Sequence, residues 1–155
     1  MSAIEFRQVE ASERQLALNF IATDHLRPEG ILESGTKYWG AFENGKLIGL
    51  IGCEYENRYG LLRSALVAKG FRGQGIGKQL TDVLLNDAVQ NKLAAVYLFS
   101  TGAGLYWTNL GFTVTSIAEV VEKLANAPQV RLFDQLGWLP IEVAYKLSIG
   151  KISRE

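Results

Sequence analysis

Four glycines fall within eight residues, Gly70, Gly73, Gly75 and Gly77, between an apolar run ending at Val67 and an amphipathic one opening at Ile76. Glycine gives up more backbone freedom on ordering than any other residue, so such a cluster is costly unless the chain must turn sharply or approach a ligand closely. Behind it Ile76, Leu80, Val83, Leu84 and Ala88 keep the 3.6-residue spacing of a helix. Ala94 to Phe99 follows, six apolar residues without alternation, as expected of a strand covered on both faces. Parallel strands lying between helices are of this kind, so the segment commits the chain to a sheet with helical cover.

The flanking sequence supplies the rest of that sheet. Ile4 to Val9 reads as a strand, and Ser12 with Gln15 three residues on is a capping-box pattern opening a helix toward Leu26. Pro28 starts a second short helix. Asn44-Gly45 separates Lys37–Glu43 from Leu47–Cys53, the strongest short-range hairpin signal because both turn residues tolerate positive φ. A further turn at Arg58-Tyr59 leads into Leu61, Leu62, Leu66 and Val67, completing an antiparallel meander of three strands. Downstream come a short helix from Ala103 to Asn109 ending at Gly111, a strand at Phe112 to Thr115, and a helical stretch from Ala118 to Ala127. A turn or second helix runs through Leu136, then a last strand from Ile141 with Ile141, Val143, Tyr145, Leu147 and Ile149 on one face. This order predicts an α/β (α+β) mixed sheet of about seven strands flanked by helices. With 155 residues, and neither repeats nor linkers, one domain over 1–155 is expected.

Composition narrows the function. Lys plus Arg and Asp plus Glu are both 16, so net charge is zero, which argues against a nucleic-acid or anionic-membrane partner for the protein as a whole. Yet Asn57 to Thr81 holds five basic residues and no acidic one, leaving the rest of the chain at −5. Cys53 and His25 are each the only residue of their type, so disulfides, His/Cys zinc sites and Ser-His-Asp or Cys-His triads lack their parts, and no metal is expected. Met-Ser-Ala-Ile-Glu has no signal-peptide character, and the longest charge-free stretch, Leu93 to Ala118, is interrupted by Ser, Thr, Asn and Gly. A cytoplasmic protein, monomer or homodimer, is expected.

Two familiar phosphate loops fail here. A P-loop needs Gly where Arg72 stands and Ser or Thr where Gln79 stands, and the dinucleotide fingerprint needs a third Gly at Lys78 or at Leu80. What fits is Arg-x-x-Gly-x-Gly five residues after Val67. "LVAKGFRGQGIGKQL" resembles the acetyl-CoA-binding motif of the GCN5-related N-acetyltransferase (GNAT) superfamily, and the ending "AGLYWTNLGF" and the order of elements are similar to that family over most of the chain. More narrowly, "GLLRSALVA", Glu54 and "NAPQVRLFDQLGWLPIEVAYKL" resemble the acetyltransferase-like proteins of arsenic-resistance operons.

The resemblance implies direct attack of an amine on acetyl-CoA, with no covalent enzyme intermediate. The backbone of Leu66, Val67 and Ala68 would pair with the pantetheine arm, with the Val67 N–H as oxyanion donor. Backbone N–H groups from Arg72 through Gly73, Gln74, Gly75, Ile76 and Gly77 to Lys78 would hold the pyrophosphate; an ordinary tight turn before a helix is the plainer reading. The family's acid Tyr falls on Trp107, whose indole cannot act as an acid but can line the thioester site. Neighbouring Tyr106 is either a substitute acid or core packing. On residue numbers that sum to 117, Glu54 lies opposite Arg63, either as a plain ion pair or as base and carboxylate-binding group for an amino-acid-like acceptor. His25 is either a surface or capping residue or part of the acceptor wall, and Cys53 reads as a core thiol. The alternative to a small-molecule N-acetyltransferase is an acetyl-CoA-binding regulatory module with little or no catalysis.

Overall fold

The computed structural model describes residues 3–24 and 26–149. Seven strands and five α-helices alternate as β1 (Ile4–Gln8), α1 (Arg14–Ile21), β2 (Thr36–Glu43), β3 (Lys46–Glu56), β4 (Tyr59–Val67), α2 (Ile76–Gln90), β5 (Ala95–Phe99), α3 (Gly104–Asn109), β6 (Thr113–Thr115), α4 (Ile117–Lys123), α5 (Pro128–Leu136) and β7 (Ala144–Ser148). They form one mixed sheet in the order β1-β2-β3-β4-β5-β7-β6. Asn44 and Gly45 both take positive φ, 51° and 79°, as the β2–β3 hairpin requires.

Two compact units divide the chain, one of Met1–Cys53 with Arg63–Asn86 and one of Glu54–Leu62 with Asp87–Glu155. In the first, Val9, Ala17, Ile21, Ile31, Tyr38 and Phe42 are buried together, with Leu18, Phe20, Leu26 and Leu32 packed against them. Cys53 is buried and unoxidised. Gly49 lets α2 approach β3 closely, since an added Cβ would stand 3.0 Å from Leu80 Cδ1 and 3.1 Å from Ile76 Cγ2. In the second, Leu61, Tyr97, Val120, Leu124, Val130 and Ala144 make the core. β4 and β5 pair in parallel from Tyr59↔Ala95 to Leu62↔Leu98; β5 ends at Phe99, while β4 continues to Val67.

Four local expectations change. The first helix is announced by a capping box of Glu10 and Glu13, not Ser12 and Gln15. Arg7 decides this by holding the Glu13 carboxylate with both guanidinium ends, at 3.0 and 2.8 Å, and α1 stops at Ile21. Pro28 starts no helix, and turns occupy the segment instead, with Gly30 at φ 85° and Leu32 at φ 56°. The β3–β4 turn lies at Asn57-Arg58, with Asn57 at φ 56°. Pairs beside it therefore sum to 115, which moves Glu54 from the expected position opposite Arg63 to one opposite Leu61. Ile141 belongs to a 3₁₀ turn of Leu139–Ile141 and is 70% exposed, so the last strand begins at Ala144. Among the described residues no helix is long and apolar enough to cross a membrane.

A charged cluster fastens β5, β7 and α4 within the second unit. Glu119 accepts from the Tyr97 hydroxyl at 2.5 Å, from Lys146 Nζ at 2.7 Å and from Thr115 Oγ1 at 2.9 Å. These partners, Lys146 foremost, hold its carboxyl down at about 2, below the usual carboxylate range, whereas burial and the hydrogen bond to Glu119 push the Tyr97 phenol up. A carboxyl lowered by folding contributes stability that is fully present above its unfolded pKa and is lost as pH falls through the folded one. Glu119→Gln is expected to cost on the order of 2 kcal/mol at pH 7, allowing for screening of a side chain 29% exposed. Thermal melts should show the variant about 5 °C lower at pH 7. The gap should close between pH 4.5 and pH 2; a gap independent of pH would contradict this assignment.

Candidate active site

The end of β4 and the loop after it lie in the first unit and can be built from the backbone outward. Ala68 N–H donates to Ile48 C=O of β3 at 2.8 Å. Successive peptide groups of an extended strand point to opposite edges. The Val67 N–H and C=O are therefore directed to the edge away from β3, and there the Val67 carbonyl accepts from Arg72 Nε at 2.7 Å. Of the three residues expected to pair with an extended ligand, Val67 presents its polar groups outward, while the Ala68 N–H is committed to β3. Leu66 is buried and Val67 half-buried.

The strand is irregular just upstream. Ser64 takes φ 58°, a left-handed conformation rare inside a strand for any residue but glycine, two residues past the Leu62↔Leu98 pair of β4 and β5. A single such residue costs on the order of 1 kcal/mol and marks a place where the surroundings overrule local preference.

After β4 a 3₁₀ turn at Lys69–Phe71 closes with Phe71 N–H on Ala68 C=O at 2.9 Å, and Arg72 is extended. Gly73 and Gly75 take φ 79° and 81°, so their side-chain-free backbone is required. The space beside Gly70, Gly73 and Gly75 is open, with nothing within 4 Å of an added Cβ. Gln79 N–H donates to Gly75 C=O, at 3.0 Å, so the N–H groups of Gly75, Ile76, Gly77 and Lys78 precede the first helical donor. They stand at the positive end of α2, a 15-residue helix, where an anionic group is favoured. Lys78 turns its ammonium to Asp82, at 2.9 Å, and Thr81 is buried with its hydroxyl on Gly77 C=O. An open glycine turn, outward N–H groups at a helix start and a strand edge beside them suit a long ligand with a phosphate end and a carbonyl end.

The other expected site residues are placed as follows. Arg63 is 5% exposed, and Nη1, Nη2 and Nε donate to Glu29 C=O at 2.5 Å, Arg27 C=O at 2.7 Å and Ser64 Oγ at 3.2 Å. Glu54, in the second unit, is wholly buried, and its Oε1 accepts from the Gln129 N–H at 2.9 Å in the first turn of α5. Two residues on, Glu56 accepts from the backbone and side chain of Asn126. Both carboxylates thus hold the start of α5, a role its N-cap Ala127 cannot fill with a side chain. In α3, Trp107 is buried, with its ring 5.6 Å from that of Phe112, and Tyr106 is 42% exposed with an edge-on contact to Trp107 at 4.9 Å. This corrects the expectation of core packing for Tyr106, because the adjacent Trp107 faces inward and neighbouring residues on a helix point about 100° apart. His25 lies outside the described residues. Among those described, no group of three His, Cys, Asp or Glu residues could hold a metal ion.

Comparison with known proteins agrees with this geometry. The family described as "Acetyltransferase (GNAT) family" matches residues 4–112. The chain belongs to the GNAT acetyltransferase family. No curated protein matches it. Among solved structures, this GNAT protein is similar to a GNAT-family acetyltransferase from Staphylococcus aureus Mu50, with TM-score 0.73 and 21% identity over 95% of this chain and 99% of the other. It is also similar to the ribosomal-protein-S18-alanine N-acetyltransferase of Escherichia coli, with TM-score 0.68 and 15% identity over 95% and 94%. N-acetylglutamate synthase from Neisseria gonorrhoeae, complexed with coenzyme A and N-acetyl-glutamate, gives TM-score 0.71 and 16% identity over 96% of this chain and 36% of that one. At these identities the likenesses show the fold.

Two substitutions check the local geometry. Gly75→Ala places a side chain at φ 81° and should weaken acetyl-CoA binding by about tenfold in calorimetry with the fold intact; unchanged affinity would separate this glycine from the ligand. Glu54→Ala leaves the start of α5 uncapped and should lower unfolding free energy by about 1–3 kcal/mol in urea titration.

Proposed function

We propose that this GNAT protein is an acetyl-CoA-dependent N-acetyltransferase acting on the amine of a small molecule, as one domain over residues 1–155. The observation that carries the reading is the outward Val67 N–H on the strand leading into the open glycine turn and the start of α2. Acetyl-CoA supplies an acetyl group activated as a thioester. The N–H groups of Gly75, Ile76, Gly77 and Lys78 hold the pyrophosphate, with Arg72, Gly73 and Gln74 shaping the approach. The Val67 N–H donates to the thioester carbonyl oxygen as negative charge develops on it, a role worth about 3 kcal/mol where such a donor has been removed. Leu66, Val67 and Ala68 form the strand edge along which the pantetheine arm lies.

Proton handling follows from burial. An amine near pKa 10 must lose a proton before attack. Glu54 is wholly buried on the helix it caps, so the proton leaves through water. Trp107 and Tyr106 enter through the family resemblance alone. A thiol with a pKa near 8.5 departs as thiolate with little help, so transfer proceeds without a phenolic acid. The segments shared with the acetyltransferase-like proteins of arsenic-resistance operons support an amino acid or amino-acid analogue as acceptor.

Thiol release from acetyl-CoA is the test, measured over a panel of amines that includes the L-amino acids and their amides. Amine-dependent release with formation of the N-acetyl product is expected, and Tyr106→Phe should keep kcat within about threefold. A hundredfold drop in that variant would make Tyr106 the acid. The buried Trp107 at the family's acid position favours a second reading, a regulatory module that binds acetyl-CoA. Tight binding with no turnover on any amine would decide for it.

A further inference from the structure

We infer that Arg63 is a positioning residue for the acceptor side of this site, acting through the segment 27–31 instead of gripping a substrate carboxylate itself. The inference rests on the proposed acetyl-CoA site. With the phosphates at the start of α2 and the thioester carbonyl at Val67, the ligand's length is spent on the C-terminal side of Val67. An attacking amine must then approach from the other side, along β4 toward Ala65, Ser64 and Arg63.

A strap of chain is fastened at that end. Arg63 donates to the carbonyls of Arg27 and Glu29, and Arg14 of α1 donates through Nε to the carbonyl of Ile31 at 3.0 Å. Three alternate carbonyls of one irregular segment are thus held by two arginine side chains. Within the segment, turn hydrogen bonds run from Ile31 N–H to Pro28 C=O at 3.3 Å and from Glu33 N–H to Gly30 C=O at 3.2 Å, and the Arg27 guanidinium pairs with the Glu29 carboxylate. Ile31 is wholly buried in the core, while Arg27, Pro28 and Glu29 are exposed, so the strap has an anchored end and an exposed one. Arg63 holds the exposed end. Its guanidinium is 5% exposed and spread over two carbonyls and the Ser64 hydroxyl, an arrangement that fixes backbone.

The test compares wild type with Arg63→Lys and Arg63→Met, using thiol release on L-amino acids and on their amides, with acetyl-CoA binding followed by calorimetry. Lysine keeps the charge but reaches fewer acceptors, so it guards against a methionine variant that does not fold. The expected result is an acceptor KM raised about tenfold in Arg63→Met and less in Arg63→Lys, the size of one lost buried hydrogen bond. Amino acids and amides should be affected alike, acetyl-CoA affinity should stay within about twofold, and hydrogen exchange over residues 28–33 should quicken in both variants. A loss confined to carboxylate-bearing acceptors, equal changes in both KM values, or unchanged exchange would each overturn the inference while leaving the acetyltransferase reading in place. A wild type that turns over no amine overturns that reading first, and this one with it.

Discussion

The hydrogen bond from Ala68 N–H to Ile48 C=O sets the direction of the polar groups at the end of β4. Because that N–H points to β3, the other half of the same peptide, the Val67 C=O, and the Val67 N–H beside it are directed to the opposite edge of β4. The rest of the candidate site is arranged around that edge. Gly49 lets α2 come close to β3, Ile76 and Leu80 lock it there, and the left-handed Gly73 and Gly75 turn the chain from the strand end into the helix start. Strand edge and helix N-terminus are then separated by one short loop whose glycines Gly70, Gly73 and Gly75 border open space.

Buried charge in this protein is spent on backbone. Glu54 caps α5, and Arg63 holds the carbonyls of Arg27 and Glu29. An ionised group removed from water needs several hydrogen bonds to offset its lost hydration. Main-chain groups at helix starts and in irregular turns need partners of the same kind. Each charge therefore fixes a segment that no repeating ladder could fix, which is why two residues that look catalytic by type, Glu54 and Arg63, are so fully enclosed.

That also explains which features were legible in the sequence. The sheet, the β2–β3 turn and the glycine loop follow local rules: Asn-Gly for two positive φ values, helical spacing from Ile76 to Ala88, unbroken apolar residues for β5. Two of the misreadings turn on side chains that reach in from other elements. Pro28 looks like a helix start until Arg63, more than thirty residues away, takes the carbonyls a helix would use. Glu10 and Glu13 displace Ser12 and Gln15 as the cap because Arg7 of β1 grips Glu13. Asn57 and Arg58 offer a weaker turn signal than Asn44-Gly45, so a displacement by one residue was enough to move Glu54 from one cross-strand partner to another. For the glycine loop and the helix start behind it, motif and spacing sufficed to place the backbone. The acceptor half depends on side chains reaching between elements, which no spacing rule records.

The aromatic pair in α3 bears on how leaving-group protonation was lost or replaced. In this six-residue helix the indole of Trp107 is the buried side chain, packed on Phe112, so no phenol stands at that position. The adjacent Tyr106 cannot inherit that position, because neighbouring residues on a helix point about 100° apart. Its exposure of 42% follows from this geometry. A thiolate is a good enough leaving group that such a chain keeps a workable reaction as long as the carbonyl oxygen has its donor. On the proposed mechanism, then, catalysis would rest less on side chains than on one backbone N–H, a group that substitution of the Val67 side chain leaves in place.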